Sequence, residues 1–111
     1  MKRIHLFFIV TGLLLSVAAC SSDNPQFRVR NERVDKANVQ IQTSGGNTIN
    51  INDVSSGQTT AYQSVNEGKI DATAVIQNES VSPKISFSGK MDERYTIVIQ
   101  TGNPPVLRID K

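Results

Sequence analysis

The sequence predicts an all-β protein, a small antiparallel β-sandwich of about seven or eight strands. From Phe27 onward, apolar and polar residues alternate with a period of two, as they do in strands that bury one face. Turns rich in glycine, proline, serine and asparagine separate the alternating segments at short, fairly regular intervals. These intervals are too short for the helical crossovers of a parallel sheet, which favours a sandwich of immunoglobulin-like or transthyretin-like type.

Eight segments carry the alternation. In chain order, their inward-facing positions are Phe27 and Val29; Val39 and Ile41; Ile49 and Ile51; Ala61, Gln63 and Val65; Ile70, Ala72, Ala74 and Ile76; Ile85 and Phe87; Tyr95, Ile97 and Ile99; and Leu107 and Ile109. The turn signals between them lie at 44–47, 55–57, 66–68, 82–83, 88–89 and 102–105.

One segment has an alternative interpretation. Val34, Ala37 and Ile41 fit one face of a helix through residues 31–42. The clean alternation of residues 39–42 favours a loop followed by a strand instead.

Residues 1–19 are expected to be a cleaved signal peptide. The chain starts with the basic pair Lys2 and Arg3, continues with an apolar run, and reaches small residues at Ala18 and Ala19. A retained membrane anchor is the alternative. It needs roughly 20 apolar residues, whereas this run is shorter and interrupted by polar residues and a glycine.

The residues that end this segment, Val17-Ala18-Ala19-Cys20, resemble the lipobox of bacterial lipoproteins. The resemblance implies cleavage between Ala19 and Cys20, a diacylglyceryl thioether on Cys20, and stable anchoring through several acyl chains. In bacteria with two membranes, serine rather than aspartate at position 21 favours the outer membrane over the inner one. Residues 20–26 are then expected to form a lipidated tether and residues 27–111 the sandwich domain.

The composition of the mature chain excludes several function classes. Without Lys2 and Arg3 the chain has ten basic and ten acidic residues, and no basic cluster suggests a nucleic-acid partner. Its only histidine, His5, lies in the signal peptide, which excludes Ser-His-Asp triads and histidine metal sites from the domain. Because Cys20 is the only cysteine, disulfides within the chain are excluded as well.

Five stretches together resemble an uncharacterised family of bacterial extracytoplasmic β-sandwich modules that are often lipid-anchored. They are Arg28-Val29-Arg30 and residues 37–41, 53–57, 62–68 and 95–99. The resemblance implies a sandwich at the cell envelope, and its motifs are turn glycines and apolar strand positions, which report fold rather than chemistry. Relatives usually have an aspartate–proline loop after the first strand, whereas this chain has residues 31–36 there.

Candidate catalytic groups have simpler interpretations as solvated strand or turn residues. A Ser–Lys pair is conceivable on one strand face, and adjacent carboxylates occur at one turn. The residues concerned are Ser86, Ser88, Lys84, Lys90, Asp92 and Glu93.

Binding candidates are few. Asn50, Asn52 and Asp53 offer hard oxygens for calcium near a glycine turn, but too few carboxylates for a tight site. Tyr95 opens a strand after a turn and is expected to form a tyrosine-corner hydrogen bond, which is a folding role.

Tyr62 is a candidate for stacking a sugar, and Arg28 and Arg30 share one strand face that could form an anion patch or a salt-bridged surface. We therefore expect a lipid-anchored cell-envelope protein with a non-enzymatic structural or protein-interaction role. Its expected partners are the membrane and an envelope protein, and its only expected cofactor is the covalent lipid. The alternative is a module that binds carbohydrate or peptide.

Overall fold

Strands account for all the regular secondary structure in the computed structural model, which describes residues 22–111. The predicted signal peptide, the cleavage site after Ala19 and the lipidation site Cys20 lie outside the described residues. Among residues 22–111 no helix is long and apolar enough to cross a membrane. The eight strands are β1 (Gln26–Asn31), β2 (Ala37–Thr43), β3 (Thr48–Val54), β4 (Gln63–Ser64), β5 (Gly68–Ile76), β6 (Lys84–Gly89), β7 (Arg94–Ile99) and β8 (Leu107–Asp110).

The strands form two four-stranded sheets, so the predicted small β-sandwich is confirmed. Sheet A has the order β4-β1-β7-β8, and sheet B has the order β3-β2-β5-β6. Every neighbouring pair is antiparallel except β1 and β7, which run parallel. Local turns can join only antiparallel neighbours, whereas a parallel pair needs a long connection. Here that connection is residues 32–93, which contain the four strands of sheet B and also β4 of sheet A.

The core lies between the sheets and consists of the inward positions of the alternating segments. Sheet A contributes Phe27 and Val29 from β1 and the alternate residues of β7 from Tyr95 to Ile99, and all of these are buried. Sheet B covers them with the inward residues of β2 and β5. On the edge strands Ile51 and Leu107 are buried, whereas other predicted inward residues are less covered, because an edge strand has a neighbour on one side only. These partly buried residues are Ile49, Ile85, Phe87 and Ile109.

Two segments differ in detail from the expectation. Of the strand predicted over residues 61–65, only Gln63 and Ser64 pair with β1. The predicted inward direction is wrong for Ala61 and Gln63, which are exposed, and right for Val65, which is buried. The helical alternative for residues 31–42 is wrong, since β2 begins at Ala37 and Val34 is 87% exposed.

The N-terminal end of the domain is attached earlier than the strand pattern indicates. The Asp23 N–H donates to Asp92 Oδ1 at 2.8 Å, and the Asp92 N–H donates to the Asp23 carbonyl at the same distance. Pro25 is buried, and β1 begins at Gln26. Residues 23–26 of the expected tether therefore contact the domain.

The opposite end of the sandwich is organised by Asn31, which is fully buried. Its Nδ2 donates to the carbonyls of Asp35 at 2.8 Å and Val54 at 3.0 Å, and its Oδ1 accepts the Arg33 N–H at 2.9 Å. One amide side chain thus joins the β1–β2 loop to the end of β3.

Candidate functional site

The outward surface of sheet A concentrates arginine. Because Phe27, Val29, Tyr95 and Ile97 point into the core, the residues between them point outward. The strand register then places positions from β1, β7 and β8 side by side on one surface. Four of the five arginines among residues 22–111 lie there. We call this surface the arginine face and define it by Arg28, Arg30, Tyr62, Arg94, Thr96, Val98, Arg108 and Asp110.

Tyr62 lies beside two of these arginines. Its neighbour Gln63 pairs with Phe27, which sets Tyr62 next to Arg28. The Arg28 Cζ lies over the Tyr62 ring at 4.7 Å from its centroid, and the Arg94 Cζ lies over the same ring at 5.1 Å. Both distances suit a cation–π contact.

Arg28 is also held by a hydrogen bond. Its Nε donates to Thr96 Oγ1 at 3.0 Å. With Nε used in this way and Cζ over the Tyr62 ring, the two Nη groups have no hydrogen-bond partner among residues 22–111 and can donate to a ligand. A guanidinium fork of this kind binds carboxylate or phosphate oxygens in a bidentate manner.

The row across the sheet at Val98 contains two more arginines. Val98 pairs with Arg30 on one side and Arg108 on the other, and it is 0% exposed although it points away from the core. We attribute its burial to the aliphatic stems of these neighbours, which cover apolar surface while their charged heads stay in water. The arginine face therefore has an apolar floor.

In the part of the chain that the structure describes, one arginine of the face forms a salt bridge. Arg108 Nε and Nη2 donate to the two carboxylate oxygens of Asp110 at 2.8 and 2.9 Å. These hydrogen bonds raise the pKa of Arg108 and lower the pKa of Asp110. Among residues 22–111, Arg28, Arg30 and Arg94 form no salt bridge. The face therefore carries an excess of positive charge.

The outward surface of sheet B has a different character. Its central positions are neutral, as at Gln40, Gln42 and Thr73. Its charged residues include both signs, and Lys69 Nζ lies 3.9 Å from Asp71 Oδ1. The charge of the domain is thus segregated by sheet, and the excess of arginine is confined to sheet A.

Arg28, Arg30 and Tyr62, the three ligand-binding candidates taken from the sequence, lie together on this face. Arg94 and Arg108 were missed because they are more than sixty residues away from Arg28 and Arg30 in the chain. Their outward direction could be inferred from the alternation within β7 and β8, but not their position next to β1.

Among residues 22–111, no hydrogen bond joins a serine and a lysine of the predicted Ser–Lys combinations. The Ser86 hydroxyl donates to the carboxylate of Asp71, and Lys84 lies opposite Thr73. The Ser88 carbonyl is an acceptor for the hydroxyl of Tyr95.

The adjacent carboxylates have structural contacts. Asp92 accepts the Asp23 N–H, as described above, and Glu93 Oε1 lies 2.8 Å from the Tyr95 hydroxyl and 3.3 Å from Lys111 Nζ. The predicted hydrogen bond of Tyr95 to the preceding backbone is confirmed, since its hydroxyl accepts the Lys90 N–H at 3.0 Å.

The calcium candidates lie on an exposed strand. Asn50 and Asn52 are exposed on β3, and Asp53 has a positive φ of 57°. The Asp53 N–H donates to Asn38 Oδ1 at 2.7 Å, and Lys36 Nζ lies 3.8 Å from its carboxylate. Within residues 22–111, no group of three or more histidine, cysteine, aspartate or glutamate residues is placed to hold a metal ion.

The environment of the Tyr95 hydroxyl predicts that the stability of the domain depends on pH. Burial and the hydrogen bond to Glu93 raise the pKa of Tyr95 above its ordinary value of 10.0, with Lys90 and Lys111 acting in the opposite direction. The unfolded chain ionises at the ordinary value, so this contribution to stability is complete below pH 10 and is lost as the pH rises through the folded pKa. We expect the urea midpoint to fall above pH 10.

The variant Tyr95→Phe isolates this effect. It leaves the Lys90 N–H without its acceptor and should reduce the free energy of unfolding at pH 8 by about 1 kcal/mol. Its urea midpoint should then fall less steeply than that of the wild type above pH 10. Equal slopes for the variant and the wild type would contradict the role of Tyr95.

No protein-family model matches the chain, and no curated protein matches it. The functional proposal therefore depends on the sequence features and on the geometry of the arginine face.

Proposed function

We propose that this chain is a lipid-anchored protein of the bacterial cell envelope with a non-enzymatic interaction role, and that the arginine face is its binding surface for anionic groups. The lipobox-like residues 17–20 support the anchor, and Ser21 favours the outer membrane. The observation that carries the binding role is the segregation of four of five arginines onto one outward sheet face of a domain with balanced charge.

The physical argument concerns unbalanced charge. Arg28, Arg30 and Arg94 repel one another, and such repulsion disfavours the folded domain in the absence of a ligand. An anion bound on the arginine face reduces this repulsion. Arg28 is already oriented by Thr96 and Tyr62, so an anion bound there loses less side-chain entropy than it would against a free arginine.

The alternative is a module that binds carbohydrate or peptide through Tyr62. Two guanidinium groups already lie over the Tyr62 ring, so a neutral sugar would have to displace one of them in order to stack. An acidic sugar or an acidic peptide would instead use the same arginines. The contacts of Tyr62 therefore favour anion binding over neutral-sugar binding.

The binding role is tested by NMR titration of residues 22–111 with inorganic phosphate. We expect saturable shifts of the Nε–H signals of Arg28, Arg30 and Arg94. Arg33 serves as an internal control, because its guanidinium is engaged with Glu79 at 2.9 Å and should not respond.

Two double variants with the same change in net charge sharpen this test. Arg28→Gln/Arg94→Gln should abolish the response at the remaining arginines, whereas Lys69→Gln/Lys84→Gln on sheet B should preserve it. Equal responses in the two variants would overturn the binding role. A neutral oligosaccharide that shifts Tyr62 while phosphate has no effect would support the carbohydrate alternative.

The anchor is tested separately by mass spectrometry of protein extracted from membranes. We expect an N-terminal Cys20 that carries the lipid, and accumulation of the unprocessed precursor for Cys20→Ala. A free thiol at Cys20 would overturn the anchor.

A further inference from the structure

The distance between the expected lipid and the folded domain is short. Asp23 is hydrogen-bonded in both directions to Asp92, so only Ser21 and Ser22 separate the domain from Cys20. At about 3.3 Å per residue, Asp23 lies within roughly 10 Å of the lipidated residue. If Cys20 is lipidated, the N-terminal end of β1 is therefore held at the surface of the leaflet.

The arginine face begins at this end of the sandwich. Arg94 pairs with Gln26, the first residue of β1. Arg28 and Arg30 follow along β1 at intervals of two residues, or about 7 Å each. The arginines thus start next to the anchored end and extend along the sheet for about 14 Å.

We propose that the arginine face lies flat against the leaflet that holds the anchor, with its guanidinium groups bound to the phosphates of anionic lipids. This proposal rests on the proposed function, because it requires the lipid on Cys20. The short tether makes these phosphates the nearest anions and gives them a high effective concentration. Tyr62 suits this position as well, because tyrosine is enriched at the boundary between membrane and water.

The charges of the domain favour this orientation over an upright one. An upright domain would present the loops at the anchored end, which carry both signs of charge. The acidic residues there are Asp23, Glu67, Asp92 and Glu93, and the basic ones are Lys90 and Lys111. The arginine face, in contrast, sets four arginines against two acidic residues: Asp110, which is paired with Arg108, and Glu32, which adjoins Arg108 at the end of the face far from the anchor. An anionic leaflet therefore attracts the arginine face more strongly than it attracts the loops at the anchored end.

The test uses the mature lipidated protein in two kinds of vesicle. One contains phosphatidylcholine alone, and the other an equal mixture of phosphatidylcholine and phosphatidylglycerol. Arginines are modified with phenylglyoxal and lysines with an acetylating reagent, and mass spectrometry follows the rate at each residue. Arg28, Arg30 and Arg94 should react about fivefold more slowly on the anionic vesicles, the factor expected for the surface attraction of one basic residue. Lys69 and Lys84, on the outward surface of sheet B, should react equally on both.

Charge-matched variants distinguish a flat orientation of the domain from a general attraction of the protein to anionic vesicles. Arg28→Gln/Arg30→Gln should remove the protection of Arg94, whereas Lys69→Gln/Lys84→Gln should retain it. Equal arginine rates on the two vesicles, or protection confined to Lys90 and Lys111, would overturn the flat orientation. If phosphate still shifts the arginines by NMR in that case, the proposed binding role stands and its anion comes from another source, such as an acidic protein. Failure of the protein to remain on either vesicle would count against the lipid anchor itself.

Discussion

The variant Ile97→Asp should express as unfolded protein or not accumulate at all. Ile97 is 0% exposed and lies in the centre of sheet A, paired with Val29 on one side and Ile109 on the other. An aspartate there would bury an unpaired charge among apolar side chains. The penalty is several kcal/mol even after relaxation, and a domain of this size has only about 5–15 kcal/mol of stability in total.

The control is Val34→Asp, which makes the same kind of change at a position that is 87% exposed. Its free energy of unfolding should stay within about 0.5 kcal/mol of the wild type. Circular dichroism and urea unfolding of both purified proteins provide the comparison. A cooperative transition of Ile97→Asp at the wild-type urea concentration would show that the position of Ile97 in the core is wrong.

The second large effect is expected for Asn31→Ala. This change removes three hydrogen bonds and leaves the Val54 carbonyl, the Asp35 carbonyl and the Arg33 N–H without their partner. Burying polar groups without partners costs about 1–3 kcal/mol each, and some of them gain access to water when the loop moves. We expect a loss of about 3 kcal/mol and a fall in Tm on the order of 15 °C, measured by calorimetry.

Asn50→Ala is the matched control for this substitution. Asn50 is exposed on β3, so removing its amide should change Tm little. Hydrogen exchange of Asn31→Ala should also accelerate in the β1–β2 loop and around Val54 more than in β7. If Tm is unchanged, Asn31 does not join these segments.

The cluster of arginines and the stability of the domain are connected. The outward row at Val98 is covered by arginine stems, so substitution of Arg30 or Arg108 removes packing as well as charge. Glutamine is therefore preferred to alanine in the binding tests, because it keeps part of the stem. If a glutamine variant binds no phosphate but melts near the wild-type temperature, its loss of binding is due to the lost charge.

The sequence by itself determined the features that depend on local order. Period-two alternation identified the inward residues of β1, β2, β5 and β7, because successive side chains of a strand point to opposite faces. The turn before Tyr95 predicted its hydrogen bond to the backbone, which forms over a few residues. The lipobox resemblance likewise depends on four consecutive residues. Lipidation of Cys20 stays a prediction because Cys20 lies outside the described residues.

Only the tertiary structure decided which distant residues are neighbours. The parallel pairing of β1 with β7 brings Arg94 close to Arg28, and the pairing of β1 with β4 brings Tyr62 there. The pairing of β7 with β8 adds Arg108. Alternation tells which way a side chain points but not which strand lies beside it, since strand order depends on how both sheets pack over one core. For the same reason Asn31 looked like a loop residue. It is hydrogen-bonded through its backbone to Gly57 and Gln58 of the β3–β4 segment, which is distant in the chain.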